Sequence, residues 1–344
     1  MAVDMARTIR DLRGTAGQRA DDRELGEVVS RAIAPLVAHD AAFVTAAGTA
    51  ADRSLWSFGF AHRYEADLEY DQLAAYFEGR DTYRLTDSRG RSLPAWTVEA
   101  DDDGPGRVLA SHGVGSALRL PLCDARGGWG MLQLLRSQGG RPFDDSDGRL
   151  VAELVPALLA LLRGYVTAGP LTPSAPKPLP GVVVIGADNT ILGRTSAGWA
   201  GRLEEGGTEI PTRWLVSVVT GLAIQARRHA ADPRTAPALL IGPSARYGRW
   251  IATHARPLEG GEPGTVAVVI EAAGGDLLLP SICDWYEVSA RERQVLQELR
   301  TGAAAKRIAR ALDLSTHTVN DHLKSIYRKI GCDGRDELLA ALSG

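Results

Sequence analysis

Cysteine is scarce in this chain of 344 residues, which holds only Cys123, Cys283 and Cys332. Their number is odd, they lie far apart, and no two form a CxxC pair. Disulfide frameworks and zinc sites need paired cysteines at short, regular spacings. The sequence therefore predicts neither a disulfide scaffold nor a metal site, and such thiols suit a reducing cytoplasm.

Long hydrophobic runs are also absent. The longest, from Leu154 to Leu162, is too short to span a bilayer. The amino terminus carries Asp4 and several arginines without a continuous apolar core, which does not fit a signal peptide. With 44% hydrophobic and 24% charged residues, the composition is that of a globular protein with two or three domains. We expect a cytoplasmic protein with no membrane role.

The motifs of common enzyme classes are missing as well. There is no P-loop, no GxSxG elbow and no HExxH, and the seven histidines are scattered. The pair Gly260-Gly261 has no following helix start that could hold a phosphate. The first domain also lacks the acidic pattern of a phosphoaccepting receiver. The sequence predicts no enzyme and no cofactor, and it favours regulation by a ligand, a partner or the oligomeric state.

The carboxyl-terminal segment, by contrast, carries an organised pattern. Ser289 and Glu292 form a capping box, in which hydroxyl and carboxylate each satisfy a free backbone N–H at a helix start. A first helix is predicted to begin near Ala290 and to stop at Gly302. Its apolar residues recur at the spacing of one buried face: Val295, Leu296 and Leu299.

Two further helices are predicted. The second runs from about Ala304 to Leu312. Its apolar residues are Ile308, Ala309 and Leu312, and its solvent-facing residues are Lys306, Arg307 and Arg310. Asp313-Leu314 makes a tight turn, and Ser315 is a good N-cap for a third helix that ends at about Ile330.

The third helix has two faces with separate functions. One apolar stripe faces the other helices: Val319, Leu323, Ile326 and Ile330. The opposite stripe is long and polar enough to reach base edges and phosphates: His317, Asn320, Asp321, Lys324 and Arg328. Residues 300–329 hold seven basic and two acidic side chains, a local balance of +5 in a chain of net charge −3. A local positive patch suits phosphate contact, and a merely solvated helical bundle is the alternative.

These residues resemble the LuxR-type (NarL/FixJ-like) transcriptional regulators. The resemblance covers about Glu287 to Leu342 and rests on Ser289-Ala290-Arg291-Glu292, Lys306-Arg307-Ile308-Ala309, Ser315 with Thr318-Val319, and His322-Leu323-Lys324. It implies that the third helix enters the major groove of double-stranded DNA and that a fourth helix, Asp336 to Leu342, joins two subunits into a homodimer. RNA polymerase is a further candidate partner. The residues expected to contact DNA are Lys306, Arg307, Thr316, His317, Thr318, Asn320, Asp321, Lys324, Arg328 and Lys329.

Two departures from the family pattern bear on base preference. Asn320 stands where members often have a basic residue, and Cys332-Asp333-Gly334-Arg335 replaces a more usual Val-x-Ser-Arg. Asn320 can pair with adenine, and Asp321 can accept from a cytosine amino group. Asp321 can equally be a surface carboxylate paired with Lys324 or Arg328, and both interpretations stay open.

A proline-rich stretch divides the rest of the chain. Residues 167–180 hold five prolines, which keep a chain extended, so we predict a linker there. A softer boundary is expected from Ala272 to Asp284, where Gly274-Gly275 follows an apolar strand. The predicted domains are therefore 20–166, 181–272 and 284–344.

The first domain, 20–166, opens with a helical pattern and has its clearest signal in two strand-like runs, Ala117 to Leu134, around a glycine-rich turn. Phe143 and an acidic cap then precede one long helix through Leu162. A hairpin with a Gly-Trp-Gly turn before a capped terminal helix resembles the end of a GAF domain. Four aromatics either line a ligand pocket or, as is commoner, belong to the core: Trp56, Phe58, Phe60 and Trp96. No binding residues are assigned.

The middle domain, 181–272, has two strand-like runs around Asp188-Asn189, then helices that include Trp214 to Arg228. The helical face is Leu215, Val218, Val219 and Leu222. Three strand-like runs follow: Ala238 to Gly242, Arg249 to Leu258 and Thr265 to Glu271. This order resembles a PAS domain, which either senses a ligand or only dimerises.

The sequence thus predicts an α+β multidomain protein, with GAF-like and PAS-like α/β sensor domains followed by an all-α four-helix LuxR-type helix-turn-helix domain. Its expected function is sequence-specific DNA binding that regulates transcription, controlled by a ligand or partner through the amino-terminal domains. The alternative is a signal-sensing or scaffold protein whose terminal bundle mediates protein contact. No residue of the sequence specifies the effector ligand, the operator sequence, or whether the protein activates or represses transcription.

Overall fold

A computed structural model describes residues 2–15, 22–48, 56–81, 85, 91–175, 177, 179–195 and 212–343. Within these ranges the elements follow in this order: α1 (Ala2–Thr15), α2 (Asp22–Ile33), β1 (Ala41–Ala47), β2 (Trp56–His62), α3 (Ala66–Phe77), β3 (Trp96–Glu99), α4 (Gly104–Ser111), β4 (Val114–Asp124), β5 (Gly127–Ser137), α5 (Asp145–Ala152), α6 (Val155–Thr167), β6 (Gly181–Ile185), β7 (Ile191–Arg194), α7 (Thr212–Ala231), β8 (Leu239–Gly242), α8 (Ser244–Tyr247), β9 (Ile251–Pro257), β10 (Val266–Ala272), α9 (Gly275–Trp285), α10 (Ala290–Arg300), α11 (Ala305–Ala311), α12 (Thr316–Ile330) and α13 (Arg335–Ser343). The chain is therefore an α+β protein with two antiparallel sheets and a helical carboxyl-terminal part.

The first sheet has five antiparallel strands in the order β2-β1-β5-β4-β3. Alternate side chains of a strand point to opposite faces, so both faces of this sheet are available for packing. One face packs against α2 and α6 and holds the larger core, in which Phe58 and Phe60 are buried. The other face carries α3 and α4. The burial of Phe58 and Phe60 agrees with the commoner interpretation of alternating strand aromatics, whereas Trp96 on edge strand β3 is half-buried.

The predicted hairpin is β4-β5, but its turn is not glycine-rich. The turn is Ala125-Arg126, and the glycines lie inside β5. A Cβ atom on Gly130 would stand 1.9 Å from the carbonyl oxygen of Thr45 in β1, and one on Gly128 would stand 2.7 Å from Cβ of Leu85. These glycines therefore allow neighbours to approach the strand closely.

The single long helix predicted after Phe143 is two helices, α5 and α6, bent by 50°. The cap is confirmed, since Asp144 and Asp147 form a capping box at the start of α5. The break follows from Pro156, which lacks an N–H and whose ring clashes with the preceding turn. Among the described residues no single helix is long and apolar enough to cross a membrane. The bent pair α5-α6 reaches that length and apolar content only when its two helices are counted together.

The stretch predicted as the middle domain, 181–272, is built on a second antiparallel sheet with the equivalent strand order, β7-β6-β10-β9-β8. Its strands and α7 appear in the predicted order. Helix α7 packs on the sheet through Val219, Leu222 and Ala226. The side chains of Trp214 and Leu215, on which part of the helical prediction rested, lie outside the described residues.

Both predicted boundaries are in contact with folded parts of the chain. In the proline-rich stretch, Leu171 packs against the larger core and the Ser174 N–H donates to the Gly248 carbonyl at 2.8 Å. Positions 176 and 178 lie outside the described residues. The softer boundary is occupied by α9, whose Trp285 ring lies 5.3 Å from the Trp129 ring and 5.8 Å from the Phe58 ring. Helix α9 therefore attaches the carboxyl-terminal helices to the first sheet.

Candidate nucleic-acid interface

The carboxyl-terminal helices begin at the predicted capping box. The Glu292 backbone N–H donates to Ser289 Oγ at 3.3 Å, and the Ser289 N–H donates to Glu292 Oε2 at 2.7 Å. Helix α10 accordingly starts at Ala290, and Gly302 follows it with a left-handed φ of 82°. Its apolar face is buried as predicted: Val295, Leu296 and Leu299.

The turn between α11 and α12 is fixed by local backbone geometry. Asp313 has a φ of 53°, a conformation that Asp tolerates better than most residues. The Leu314 N–H donates to the Ala309 carbonyl at 2.8 Å and closes α11. Ser315 Oγ accepts from the Thr318 N–H at 3.0 Å, which confirms the predicted N-cap. Gly331, with φ 79°, ends α12.

The inner face of α12 is apolar and buried, as predicted. Its buried residues are Val319, Leu323, Ile326 and Ile330. Helix α12 packs through this face against α10 and α11. Because residues three and four apart share one side of a helix, this packing turns the polar stripe outward.

The outer face of α12 is polar and open to solvent. Its exposed residues are Thr316, His317, Asn320, Asp321, Lys324 and Arg328. On α11, Lys306 and Arg307 are exposed as well, although Arg307 also donates to Thr301 Oγ1 at 3.3 Å. Two predicted contact residues differ: Thr318 is half-buried, with Oγ1 at 2.8 Å from Ser315 Oγ, and Lys329 has a partner inside the domain.

Lys329 points toward the start of α10. Its Nζ donates to Glu292 Oε2 at 2.6 Å and to the Glu287 carbonyl at 2.9 Å. Burial acts to raise the pKa of Glu292, but hydrogen bonds from Lys329, Ser289 and Ser325 outweigh it and lower that pKa to about 2. A phosphate would have to break this pair to reach the ammonium group. The structure thus gives Lys329 a bond within the domain that sequence analysis did not foresee.

Asp321 lies beside a different residue from those considered in the sequence. Its Oδ2 lies 3.4 Å from Nε2 of His317, one helical turn earlier, and both side chains are more than half exposed. A contact between such exposed groups contributes little to stability. Asp321 therefore stays available for contact with a base.

Two arginines hold the helices together in ways that sequence analysis missed. Arg291 Nη2 donates to the Leu312 carbonyl at 2.6 Å, and Arg335 Nη1 donates to the Ala303 carbonyl at 3.0 Å. Each satisfies a backbone carbonyl at or beside the end of a helix. The partners are 21 and 32 residues apart in sequence, so no local spacing marks them.

A profile of the family described as "GerE: Bacterial regulatory proteins, luxR family" matches residues 287–341. These residues form a LuxR-family helix-turn-helix domain. The chain is 37% identical over 84 residues to YhjB of Escherichia coli (strain K12), whose name describes an HTH-type transcriptional regulator. It is 42% identical over 53 residues to the monoamine regulon transcriptional regulator of Klebsiella aerogenes.

These alignments cover 22% and 15% of this chain. They cover 42% and 23% of the relatives, so the chain spans less than half the length of the curated relatives that it matches. Among solved structures, Escherichia coli SdiA matches 92% of this chain and 89% of its own, at 12% identity and a TM-score of 0.31. SdiA in complex with octanoyl-rac-glycerol matches 98% and 94%, at 12% identity and a TM-score of 0.32.

One residue at the edge of the LuxR-family domain connects it to the first sheet. Glu287 has a left-handed φ of 54°, and its Oε1 lies 3.4 Å from Arg163 Nη1 and 3.7 Å from Arg126 Nη1. Its carbonyl accepts from Lys329 at 2.9 Å. Glu287 therefore links α6 and the β4-β5 turn to the last turn of α12.

The fourth helix of the LuxR-family domain is α13, close to the predicted Asp336 to Leu342. Leu338, Ala341 and Leu342 are buried, and α13 packs against α9 and α12. Asp336 and Ala340 are exposed. Part of α13 is thus committed to the fold of this chain, while its other side is open to solvent.

Proposed function

We propose that this protein is a sequence-specific DNA-binding regulator of transcription that binds double-stranded DNA as a homodimer. The observation that carries the proposal is the exposed polar face of α12 in a LuxR-family domain whose curated relatives are named as transcriptional regulators. A single α-helix fits the major groove, where each base pair presents a distinct set of donors and acceptors. Its opposite face must then be held by other helices, as the apolar face of α12 is.

The exposed residues divide by the chemistry of their side chains. Asn320 and Lys324, one turn apart at the middle of the exposed face, suit base edges: an amide pairs with adenine and an ammonium with guanine acceptors. The charges of Lys306, Arg307 and Arg328 suit phosphates. The remaining proposed contacts are Thr316, His317 and Thr318 at the helix start, and Asp321.

The amino-terminal part is proposed to control DNA binding. The two sheets, with equivalent strand orders, support a pair of related domains of the GAF-like and PAS-like kind that respond to a ligand or a partner. The contacts of Trp285 and Glu287 with the first sheet offer a physical route to α12. We place such a regulator in the cytoplasm, with two subunits joined through α13 and RNA polymerase as a further partner.

Lys324→Ala is expected to weaken binding to a cognate duplex by about 1–3 kcal/mol while leaving binding to a scrambled duplex little changed. The reason is that a base contact is lost only where the correct base is present. The measurement is fluorescence anisotropy of the full chain with a duplex selected from a random library. Equal affinities of variant and parent for the selected duplex would show that Lys324 does not read a base.

Arg328→Ala should instead weaken the selected and scrambled duplexes alike, because a phosphate contact carries no sequence information. Arg256→Ala is the matched control: it removes one exposed positive charge from β9, far along the chain from the LuxR-family domain. It should leave both affinities close to those of the parent. A loss confined to the selected duplex would reassign Arg328 to base contact.

A further inference from the structure

An arginine in the turn before β9 is buried without a partner. Arg249 is only 5% exposed, and its Nε and Nη1 atoms are buried with no hydrogen-bond partner. Among the described residues its guanidinium forms no ion pair either. A guanidinium is not deprotonated in proteins, so it cannot avoid the cost of burial by losing its charge. Buried charges are stable only when they are paired, so Arg249 requires an acceptor that carries negative charge.

The neighbouring chain does not supply that acceptor. Residues 233–258 contain no aspartate or glutamate, although they hold four arginines. The Gly248 carbonyl, next to Arg249, already accepts from the Ser174 N–H at 2.8 Å and from Ser174 Oγ at 3.2 Å. Both lone pairs of that oxygen are therefore in use. A carbonyl would in any case leave the positive charge uncompensated.

A second buried polar group without a partner lies in the same turn. Ser244 begins the one-turn helix α8, which is closed by the Gly248 N–H donating to the Ser244 carbonyl at 2.8 Å. The Ser244 side chain is 1% exposed, and its Oγ has no hydrogen-bond partner in the described part of the chain. A hydroxyl can donate to an anion, as a guanidinium does. The turn from Ser244 to Arg249 thus has a surplus of buried donors.

The proline-rich stretch that joins the two sheets packs on this turn. A Cβ atom on Gly169 would stand 2.5 Å from Ser244 Oγ, and one on Gly248 would stand 3.0 Å from Ser174 Oγ. The stretch therefore approaches both ends of α8 closely. Because it follows α6 directly, the turn is connected to the last helix of the first domain.

We propose that Arg249 binds the carboxylate group of a small organic acid. This acid is the ligand sensed under the proposed function, and the inference rests on that sensory role. A carboxylate carries the required negative charge, and its two oxygens match the planar fork of a guanidinium. The acid is small, because the Arg249 side chain is almost closed off from solvent.

Occupancy of this site has a route to the DNA-binding helices. The proline-rich stretch continues from α6, and Arg163 Nη1 of α6 lies 3.4 Å from Glu287 Oε1. The Glu287 carbonyl accepts from Lys329 in the last turn of α12. A ligand at Arg249 is therefore connected to α12 through α6.

The test is calorimetric titration of the full chain with sodium formate at neutral pH, in HEPES buffer whose bulky anion keeps the ionic strength constant. Saturable binding is expected, whereas formamide, the neutral analogue, should not bind. Arg249→Met should lower the affinity for formate at least about tenfold. Arg256→Met makes the same chemical change at an exposed position of β9 and should bind like the parent.

A second measurement does not depend on how Arg249→Met folds. In nitrogen-15 NMR of the parent, one arginine Nε–H resonance should move saturably as formate is added. Arg249→Lys, which keeps the positive charge, identifies that resonance by its absence.

Three results would each overturn the site: equal binding of formamide, equal binding by Arg249→Met, or arginine resonances that formate does not move. Chloride binding as tight as formate binding would overturn the assignment of a carboxylate. DNA binding of the chain without formate is measured separately, so failure of the ligand site and failure of the regulator function are distinguishable.

Discussion

Glu292→Ala is expected to lower the free energy of unfolding of the carboxyl-terminal helices by about 3 kcal/mol. The Glu292 side chain is 6% exposed and does two things at once. It completes the capping box with Ser289 at the start of α10, and it accepts from Lys329 in the last turn of α12. Its removal leaves the ammonium of Lys329 partly buried without a carboxylate. An uncompensated buried charge of this kind is strongly destabilising.

The lowered pKa of Glu292 corresponds to a contribution of similar size. The folded value of about 2 lies below the ordinary 4.5, so the ionised carboxylate stabilises the fold above pH 4.5. That contribution is lost as pH falls from 4.5 through 2, and it amounts to about 3 kcal/mol at 1.36 kcal/mol per pH unit. Glu292→Ala and a fall in pH below 4.5 should therefore destabilise the same helices.

Hydrogen exchange of the full chain measures this effect locally. Protection should fall in α10 and α12, while β4 and β5 serve as an internal reference. Glu292→Gln, which can keep the cap but not the charge, should lose less than Glu292→Ala. Glu298→Ala removes another carboxylate from α10 and should change protection by under about 0.5 kcal/mol. Unchanged protection in Glu292→Ala would show that this contact does not hold α12 in place.

The stability of the first domain is expected to fall by about 3 kcal/mol as pH rises from 4.5 to 7, through Glu69 alone. Its folded pKa of about 7 lies above the ordinary 4.5, so the folded state holds a proton that the unfolded state has lost. The stabilisation is complete below pH 4.5 and disappears as pH passes 7. Burial of Glu69 on α3 raises this pKa. The positive charge of Arg119 on β4 opposes the rise in part, and Arg119 is itself paired with Asp81, which follows α3.

The difference in stability between Glu69→Gln and the parent isolates this contribution, because the contributions of all other titrating groups are the same in both proteins and cancel in the difference. The variant should match the parent near pH 4 and exceed it by about 3 kcal/mol at pH 8, measured by urea unfolding. Glu65→Gln makes the same chemical change at an exposed position preceding α3 and should show no such trend. A difference that stays constant from pH 4 to pH 8 would mean that Glu69 does not titrate in this range.

The local features of this chain were predictable from its sequence. The Ser289 and Glu292 cap, the Ser315 cap and the apolar stripe of α12 each depend on residues within a few positions of one another. The strand order of the middle domain along the chain followed from runs bounded by glycine, proline and polar turns. The exposure of Asn320, Lys324 and Arg328 then follows from the buried stripe opposite them.

Features that depend on distant partners were not predictable in the same way. In the sequence, Lys329 is indistinguishable from the other basic residues of α12. Its partner Glu292 lies 37 residues earlier, at the start of α10, and only the fold brings the two together. The sequence predicts Gly130 as a turn residue, whereas the structure shows that it allows the close approach of β1. Glu69 carries no motif, and only the packing of α3 on the sheet reveals it as buried. The break at Pro156 is the exception, since proline inside a helical pattern is a local signal.

The central claim, that the exposed face of α12 reads DNA, is tested most directly by affinity of the full chain for a selected duplex as salt is raised. With Lys306, Arg307 and Arg328 assigned to phosphates, the logarithm of affinity should fall against the logarithm of salt with a slope of about −3 per subunit. The selected duplex should bind more tightly than its scrambled counterpart at every salt concentration. No binding of either duplex at low salt, or equal binding of both, would contradict the account and favour a bundle that contacts protein instead.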